Sequence, residues 1–490
     1  MKLYLIGHDY RFAAEEAVIS LLGESPKETV SLDRPPRQPE ADSLVTRISA
    51  HEKGGIATAT LRREGKTAHG RAAYTVADSE RETVRLRQHA LKLAIARAVR
   101  EYGDLPAWGA LTGMRPTKLA RRLIAENGSA GAKRILTDRY LLSDERANLV
   151  LRAAEQGIEA EKALWDGYLI YLGVPFCPTR CAYCSFVSES VSKSGALMSP
   201  YVEKLLEEIA LKGELMRSAG RIPKAVYFGG GTPTTLSASD LSRVITAVRR
   251  EFALPEGIEF TVEAGRPDTI TREKLIALRE GGVTRISINP QSMEPAVLAA
   301  AKRPHSPEDI EAAFRLAREV GGFEINCDLI AGLEADSASG FARSLERILS
   351  LDPENITIHT LARKRGSDIH RLTAEGDAPL IPEPGEVARM LEDAYPKLEK
   401  LGYFPYYLYR QKYMAAPLEN TGWAKEGTVC LYNSLVMEEI GLTVALGAGG
   451  VTKLIHGEKV GRITNPKFAA EYIAHDFGKG IEELRSSLAE

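Results

Sequence analysis

Residues 168–186 read YLIYLGVPFCPTRCAYCSF. The stretch opens as a continuous apolar run of the kind that forms a strand buried on both faces. It then places Cys177, Cys181 and Cys184 within eight positions, three of the chain's five cysteines. The other two, Cys327 in EINCDLI and Cys430 in TVCLYNS, lie in apolar surroundings and read as plain buried thiols.

Between about 168 and 361 this first run is followed by KAVYFGG, IEFTVEA, TRISINP, FEINCDLIAGL and NITIHTL. Helix-like segments separate them near 200–218, 237–252, 271–280, 307–320 and 338–350. Strands alternating with helices predict a parallel sheet with right-handed crossovers. Six such steps predict an α/β fold, a partial parallel (β/α)6 barrel of TIM-like type. Before it, residues 1–78 read as short strands and turns. A helix is expected from Ser79, which can cap it, to Gly103, which ends it, and two more helices follow. After it come the linker EGDAPLIPEPGE, the aromatic run YFPYYLYRQKYM and the glycine cluster ALGAGG. The expected division is an N-terminal mixed or helical domain over 1–160, the barrel over 161–375, and a C-terminal α+β domain over 376–490.

Composition narrows the possible partners. With 64 Lys+Arg against 66 Asp+Glu, the net charge of −2 offers no nucleic-acid footprint and no attraction to an anionic membrane. MKLYLIGHDYRFAAEE lacks the apolar core of a signal peptide, and no segment approaches 18 uninterrupted apolar residues. A cytoplasmic protein is expected. Thiols stay reduced there, so clustered cysteines point to metal or chemistry rather than disulfides.

In parallel barrels the loops at the C-terminal strand ends converge on one mouth. The unusual residues of this chain fall at that edge. Cys177 follows the first strand, GGGTPT (Gly229 to Thr234) the second, Glu263 ends the third and Gln291 follows the fourth. Asp328 lies on the fifth and His359 near the end of the sixth. Structural zinc wants four closed ligands, usually as two short pairs, and ferredoxin clusters use a remote fourth cysteine. The spacing Cys-x-x-x-Cys-x-x-Cys fits better a 4Fe-4S cubane held by three thiolates, with one iron open. Zinc and a metal-free loop are the alternatives.

That spacing after the first strand of such a barrel resembles the radical S-adenosylmethionine superfamily. The resemblance supplies the open iron's ligand, the amino and carboxylate groups of S-adenosylmethionine. YLGVPFCPTRCAYCSF, YFGGGTPT, FTVEAGRPD, RISINPQS and NCDLIAGL resemble, in order, blocks of the oxygen-independent coproporphyrinogen III oxidase family. LTGMRPTKL, PYYLYRQKYM, LYNSLVMEE and ALGAGG resemble its coproporphyrinogen dehydrogenase HemZ branch. Carried over by motif, the family's sites place Tyr171, Gly230 and Glu263 on a first S-adenosylmethionine, with Tyr171 and Glu263 as catalytic residues. Tyr183, Gly231, Thr232, Gln291, Arg303 and Asp328 fall on a second. Tyr171 can also be read as a core aromatic, and Arg303 as a solvated helix-end charge.

The resemblance implies radical oxidative decarboxylation of two propionates of coproporphyrinogen III, giving protoporphyrinogen IX in haem biosynthesis, with an external electron donor and acceptor. The four carboxylates of such a tetrapyrrole need cations, and Arg410 with Lys412, or Arg115 with Lys118, are candidates. Two departures stand out. Phe186 occupies the place of a further cysteine in the established oxidase, and Gly173 the place of a histidine. Phe186 and RPHS (Arg303 to Ser306) resemble instead the related haem chaperones. The alternative is therefore a haem-binding or haem-trafficking protein on the same scaffold, with an exposed His305 as the expected iron ligand.

Overall fold

The computed structural model describes every residue except Trp165, Arg365, 376–380, 412–413, 457–458 and Glu490. Two compact units emerge. The first holds Met1–Ala154 with short pieces around Arg410 and Leu418, and the second holds nearly all the rest. Among the described residues no helix is long and apolar enough to cross a membrane.

In the first unit, strands β1 (Lys2–Ile6), β2 (Glu28–Leu32), β3 (Ser43–His51), β4 (Gly54–Arg63) and β5 (Lys66–Thr75) form one sheet in the order β2-β1-β3-β4-β5. The long helix Glu80–Tyr102 starts as expected, with the Ser79 side chain accepting from the Glu82 N–H. Leu91, Ala94, Ile95 and Ala98 face inward from it and pack in one core with Leu44, Ala57, Leu61 and Ala72 of the strands. A helix over Arg11–Leu22 departs from the expected strands and turns. Tyr10 at its N-cap makes no side-chain capping bond, so the usual start signal is missing.

The second unit carries the barrel strands β6 (Tyr168–Val174), β9 (Pro223–Gly230), β10 (Glu259–Glu263), β11 (Arg285–Ser287), β12 (Glu324–Ala331) and β13 (Asn355–Thr360), with the two-residue strands β7 (Phe176–Cys177) and β8 (Glu189–Ser190) between the first two. Helices Met198–Ser218, Ala238–Glu251, Arg272–Glu280, Pro307–Val320 and Ala338–Leu349 alternate with them, within a few residues of the expected spans. The last four start where a hydroxyl caps the first turn: Ser237, Thr271, Ser306 and Ser337 each accept a backbone N–H three residues on. Those caps set where each strand-end loop stops and its helix begins.

The C-terminal region adds β14 (Phe404–Tyr409), β15 (Asn420–Ala424), β16 (Leu442–Gly447), β17 (Val451–His456) and β18 (Lys459–Thr464). All belong to the barrel's own sheet, whose order is β14-β15-β13-β12-β11-β10-β9-β6-β16-β17-β18. These five strands, expected within a separate α+β domain over 376–490, therefore extend both edges of the core sheet. β16 runs parallel to β6 in continuous register from Leu442↔Tyr168 to Gly447↔Gly173, which makes it a seventh parallel strand. An edge strand as apolar as β6 needs such a cover.

Behind β16 lies a buried charge network. Glu208 of helix Met198–Ser218 is fully buried and pairs with Lys212 at 2.6 Å. Its carboxylate also accepts from Gly447 N–H (2.7 Å), Asn465 Nδ2 (2.8 Å) and the Tyr472 hydroxyl (2.6 Å). Lys212 donates onward to the Ala445 carbonyl at 2.7 Å.

Candidate active site

The cysteine loop leaves β6 and is stitched to the next strand end by backbone. Gly231 N–H donates to Val174 O (2.6 Å) and Thr232 N–H to Phe176 O (2.8 Å). This closeness explains GGGT. A Cβ on Gly231 would lie 2.5 Å from the Phe176 carbonyl oxygen. One on Gly230, whose φ is +103°, would lie 2.9 Å from the Val174 N and O. Any side chain at either position forces the two loops apart. The Cys177 Sγ lies 3.4 Å from the Thr232 hydroxyl. Cys177, Cys181 and Cys184 are free and half-buried, whereas Cys327 and Cys430 are buried, as expected. Burial pushes the Cys177 and Cys184 thiols up. Their thiolates are therefore favoured only with positive charge beside them.

Arg303, readable from sequence as a solvated charge, is buried and aimed at this loop. Its guanidinium donates to the Tyr183 hydroxyl at 3.1 Å and lies 3.7 Å from the Cys181 Sγ. It also holds the Gly265 and Asn289 carbonyls at 2.9 and 2.6 Å, which joins the third and fourth strand ends to the cysteines. Glu263 stands at the end of β10. Its Oε1 accepts from the Tyr227 hydroxyl at 2.6 Å. Burial pushes this carboxyl up to about 7. Tyr171 stacks on Tyr227, and Tyr227 on Tyr432, with centroids 6.4 and 4.7 Å apart. Gln291 occupies left-handed backbone at φ +67° while its N–H and C=O bridge to β12. Its buried side-chain Oε1 has no partner. Left-handed backbone in a non-glycine residue carries strain of about 1–3 kcal/mol. Asp328 is steadied by Asn326 Nδ2 at 2.8 Å and lies 3.7 Å from the His359 Nε2.

Two participants carry no sequence signal of their own. Tyr227 reads as one more strand aromatic. Arg266 lies in the quoted FTVEAGRPD block, yet its bond to the Thr179 hydroxyl (3.0 Å), inside the cysteine loop, has no local signature. Other expected residues lie elsewhere. Arg410 is buried, donates to the Leu111, Pro417 and Leu418 carbonyls and stacks over Trp108, so its charge is already engaged within the first unit. Arg115 and Lys118 also belong to that unit, and Lys412 lies outside the described residues. His305 is 5% exposed rather than exposed, and burial with Arg303 and Arg266 nearby pushes its imidazole down to about 3. An accessible iron ligand at His305 is contradicted, because Arg266, Pro290 and Arg303 of the strand-end loops lie close around it and leave it buried.

Residues 171–348 match the family model described as the Radical SAM superfamily. Over 381 residues the chain is 37% identical to the oxygen-independent coproporphyrinogen-III oxidase-like protein HemZ of Bacillus subtilis, covering 76% of this chain and 75% of that protein. It is 30% identical over 268 residues to the heme chaperone HemW of Mycobacterium tuberculosis, covering 54% and 64%. In fold it is similar to the coproporphyrinogen III oxidase HemN of Escherichia coli, with a TM-score of 0.50 and 21% identity over 67% of this chain and 72% of that one. A parallel partial barrel with three cysteines after its first strand is thus a radical S-adenosylmethionine core. Within that superfamily, the chain belongs to the oxygen-independent coproporphyrinogen III oxidase family, beside the HemZ-like proteins.

The superfamily implies a 4Fe-4S cluster and S-adenosylmethionine, and the residues present fit both. A cubane takes one thiolate per iron, so its three thiols need not meet at a single point. Among the described residues no group of three His, Cys, Asp or Glu side chains does so. The unpaired Gln291 oxygen suits a polar ligand.

The raised Glu263 carboxyl gives a pH test. With burial pushing its carboxyl up to about 7, Glu263 must give up its proton before it can accept an N–H from the cofactor's amino group. Affinity for S-adenosylmethionine should therefore rise as pH climbs from about 6 to about 7.5, with proton uptake by the buffer on binding. Calorimetry on the cluster-loaded protein measures this. Glu263→Gln should flatten the slope and cost on the order of 1.5–3 kcal/mol at the upper pH. A pH-independent affinity in the parent protein would remove Glu263 from the amino group's contacts.

Proposed function

We propose that this chain converts coproporphyrinogen III to protoporphyrinogen IX without oxygen, with the cluster on Cys177, Cys181 and Cys184 and two molecules of S-adenosylmethionine beside it. When bound and reduced by one electron, S-adenosylmethionine would supply the radical chemistry for taking a hydrogen atom from the β-carbon of a propionate, and loss of carbon dioxide and of one electron to an external acceptor would leave a vinyl group. Such chemistry is the cofactor's, and the protein's part is placement and exclusion. Glu263, held by Tyr227, offers a carboxylate to an N–H of the first molecule's amino group, and Tyr171 stacks on Tyr227 beside it. Gly230 and Gly231 let the second strand end close on the backbone of the cysteine loop, at the edge of both cofactor positions. Arg303 fixes the Tyr183 ring between the cysteines and the fourth strand end. Asp328, oriented by Asn326, and the Gln291 side chain offer acceptors to the second molecule.

The observation that carries this reading is the buried Arg303 guanidinium, which reaches Tyr183 and Cys181 of the cysteine loop while holding the Gly265 and Asn289 carbonyls that follow the third and fourth strands. Anaerobic incubation with coproporphyrinogen III, S-adenosylmethionine, dithionite and a crude electron acceptor should yield the divinyl product, with a monovinyl intermediate at early times. Tyr183→Phe and Asp328→Asn should keep the cluster and lose product. Tight haem binding with coproporphyrinogen untouched across several acceptors would replace this reading with that of a haem-trafficking protein.

A further inference from the structure

Immediately after the third cysteine the chain turns outward and exposes large apolar side chains. Phe186 is 64% exposed and Val187 37%. Strand β8 follows and is tied back beside the cysteines: Phe176 pairs with Glu189 and Cys177 with Ser190. The Glu189 carboxylate then accepts from the backbone N–H of Ala469 at 2.7 Å. That bond brings in a third exposed aromatic, Phe468, 48% exposed at the N-cap of the short helix Ala469–Ile473. Each of the three lies within about 10 Å of chain from the Glu189–Ala469 bond.

Cations flank these side chains. Lys193 follows β8 by three residues and Lys467 precedes Phe468; both are exposed, and neither is in an ion pair among the described residues. Glu189 is spent on the Ala469 N–H, which leaves Glu471 as the nearest acid on the helix. An apolar patch beside unpaired cations suits a ligand with a broad apolar face and acids at its margin.

We propose that Phe186, Val187 and Phe468 form the platform for the flat face of a tetrapyrrole polycarboxylate, with Lys193 and Lys467 meeting carboxylates at its rim. This inference rests on the tetrapyrrole reading above and adds where the macrocycle lies. It also accounts for Phe186, which presents an aromatic face to the ring system directly beside the cysteine loop.

Coproporphyrin III, the stable fluorescent form of the macrocycle, is the probe, titrated by anisotropy into the full-length, cluster-loaded protein. Phe186→Ser and Phe468→Ser should each weaken binding on the order of tenfold, and together by more. Phe186→Leu should restore much of the loss. Lys467→Glu should weaken binding at low ionic strength, by a factor that shrinks as salt is added. Phe12, 63% exposed in the first unit, provides the control Phe12→Ser, with affinity unchanged. Because these side chains are exposed, melting temperatures should stay at the parent value, which separates lost binding from lost fold. Parent-level affinity in both serine variants overturns the platform while leaving the tetrapyrrole reading in place. If the same variants instead slow cluster reduction by reduced flavodoxin, the patch serves a protein donor and the platform is likewise wrong. Absence of any porphyrin binding by the parent overturns the tetrapyrrole reading and the platform with it.

Discussion

Cys177→Ala, Cys181→Ala and Cys184→Ala are each expected to leave anaerobically reconstituted protein without a stable cluster, whereas Cys430→Ala should retain about four irons and four sulfides. The contrast follows from where the thiols stand. The three loop thiols are half-buried at one strand end, with the Arg303 guanidinium reaching Cys181. Cys430 sits at the N-terminus of helix Leu431–Glu438, where its Sγ lies 3.4 Å from the Glu259 carboxylate. Glu259 also accepts from the Leu431 and Tyr432 N–H groups, so that helix start survives loss of the thiol. Burial and the neighbouring carboxylate push the Cys430 thiol up to about 12, and the thiol stands outside the cysteine loop, engaged with Glu259. Iron and sulfide analysis with the visible absorbance of the cluster gives the answer. Stoichiometric zinc without that absorbance in the parent protein would end the radical reading.

Glu208→Ala is expected to lower stability by about 3–5 kcal/mol, because it leaves the Lys212 ammonium buried without its partner. The same substitution strips an acceptor from Gly447 N–H, Asn465 and Tyr472. Its effect should centre on the contact between helix Met198–Ser218 and β16. Urea titration of the cluster-free protein measures it. Glu208→Leu combined with Lys212→Met should recover a large part of the loss, since two apolar side chains remove both charges together. A loss below about 1 kcal/mol in Glu208→Ala would mean that water reaches Lys212 and the network is not sealed.

Most of the barrel is legible in the sequence because its signals are local. Apolar runs of strand length alternate with capped helices, and the hydroxyls at Ser237, Thr271, Ser306 and Ser337 are visible in the sequence. β16 is not legible as a barrel strand. LTVALG is a short apolar run like many others, and nothing near it states that its partner is β6. At the site, residues with unusual chemistry stand out at strand ends, and the structure brings two of them, Arg303 and Tyr183, into contact. Tyr227 stays hidden because a strand tyrosine usually packs, and only coordinates reveal its bond to Glu263. His305 misleads for the opposite reason: a histidine beside Pro304 reads as a surface residue until the neighbouring loops are seen to bury it.

The pairing of β16 with β6 joins residues about 270 positions apart in the chain. During synthesis, then, β6 emerges with one side unsatisfied and waits for most of the remaining sequence before its neighbour exists. Contacts so distant form slowly, and an apolar edge left open meanwhile can pair with the wrong strand. The cysteine loop springs from that same strand, so until β16 has been made the strand that carries it has no partner on that side.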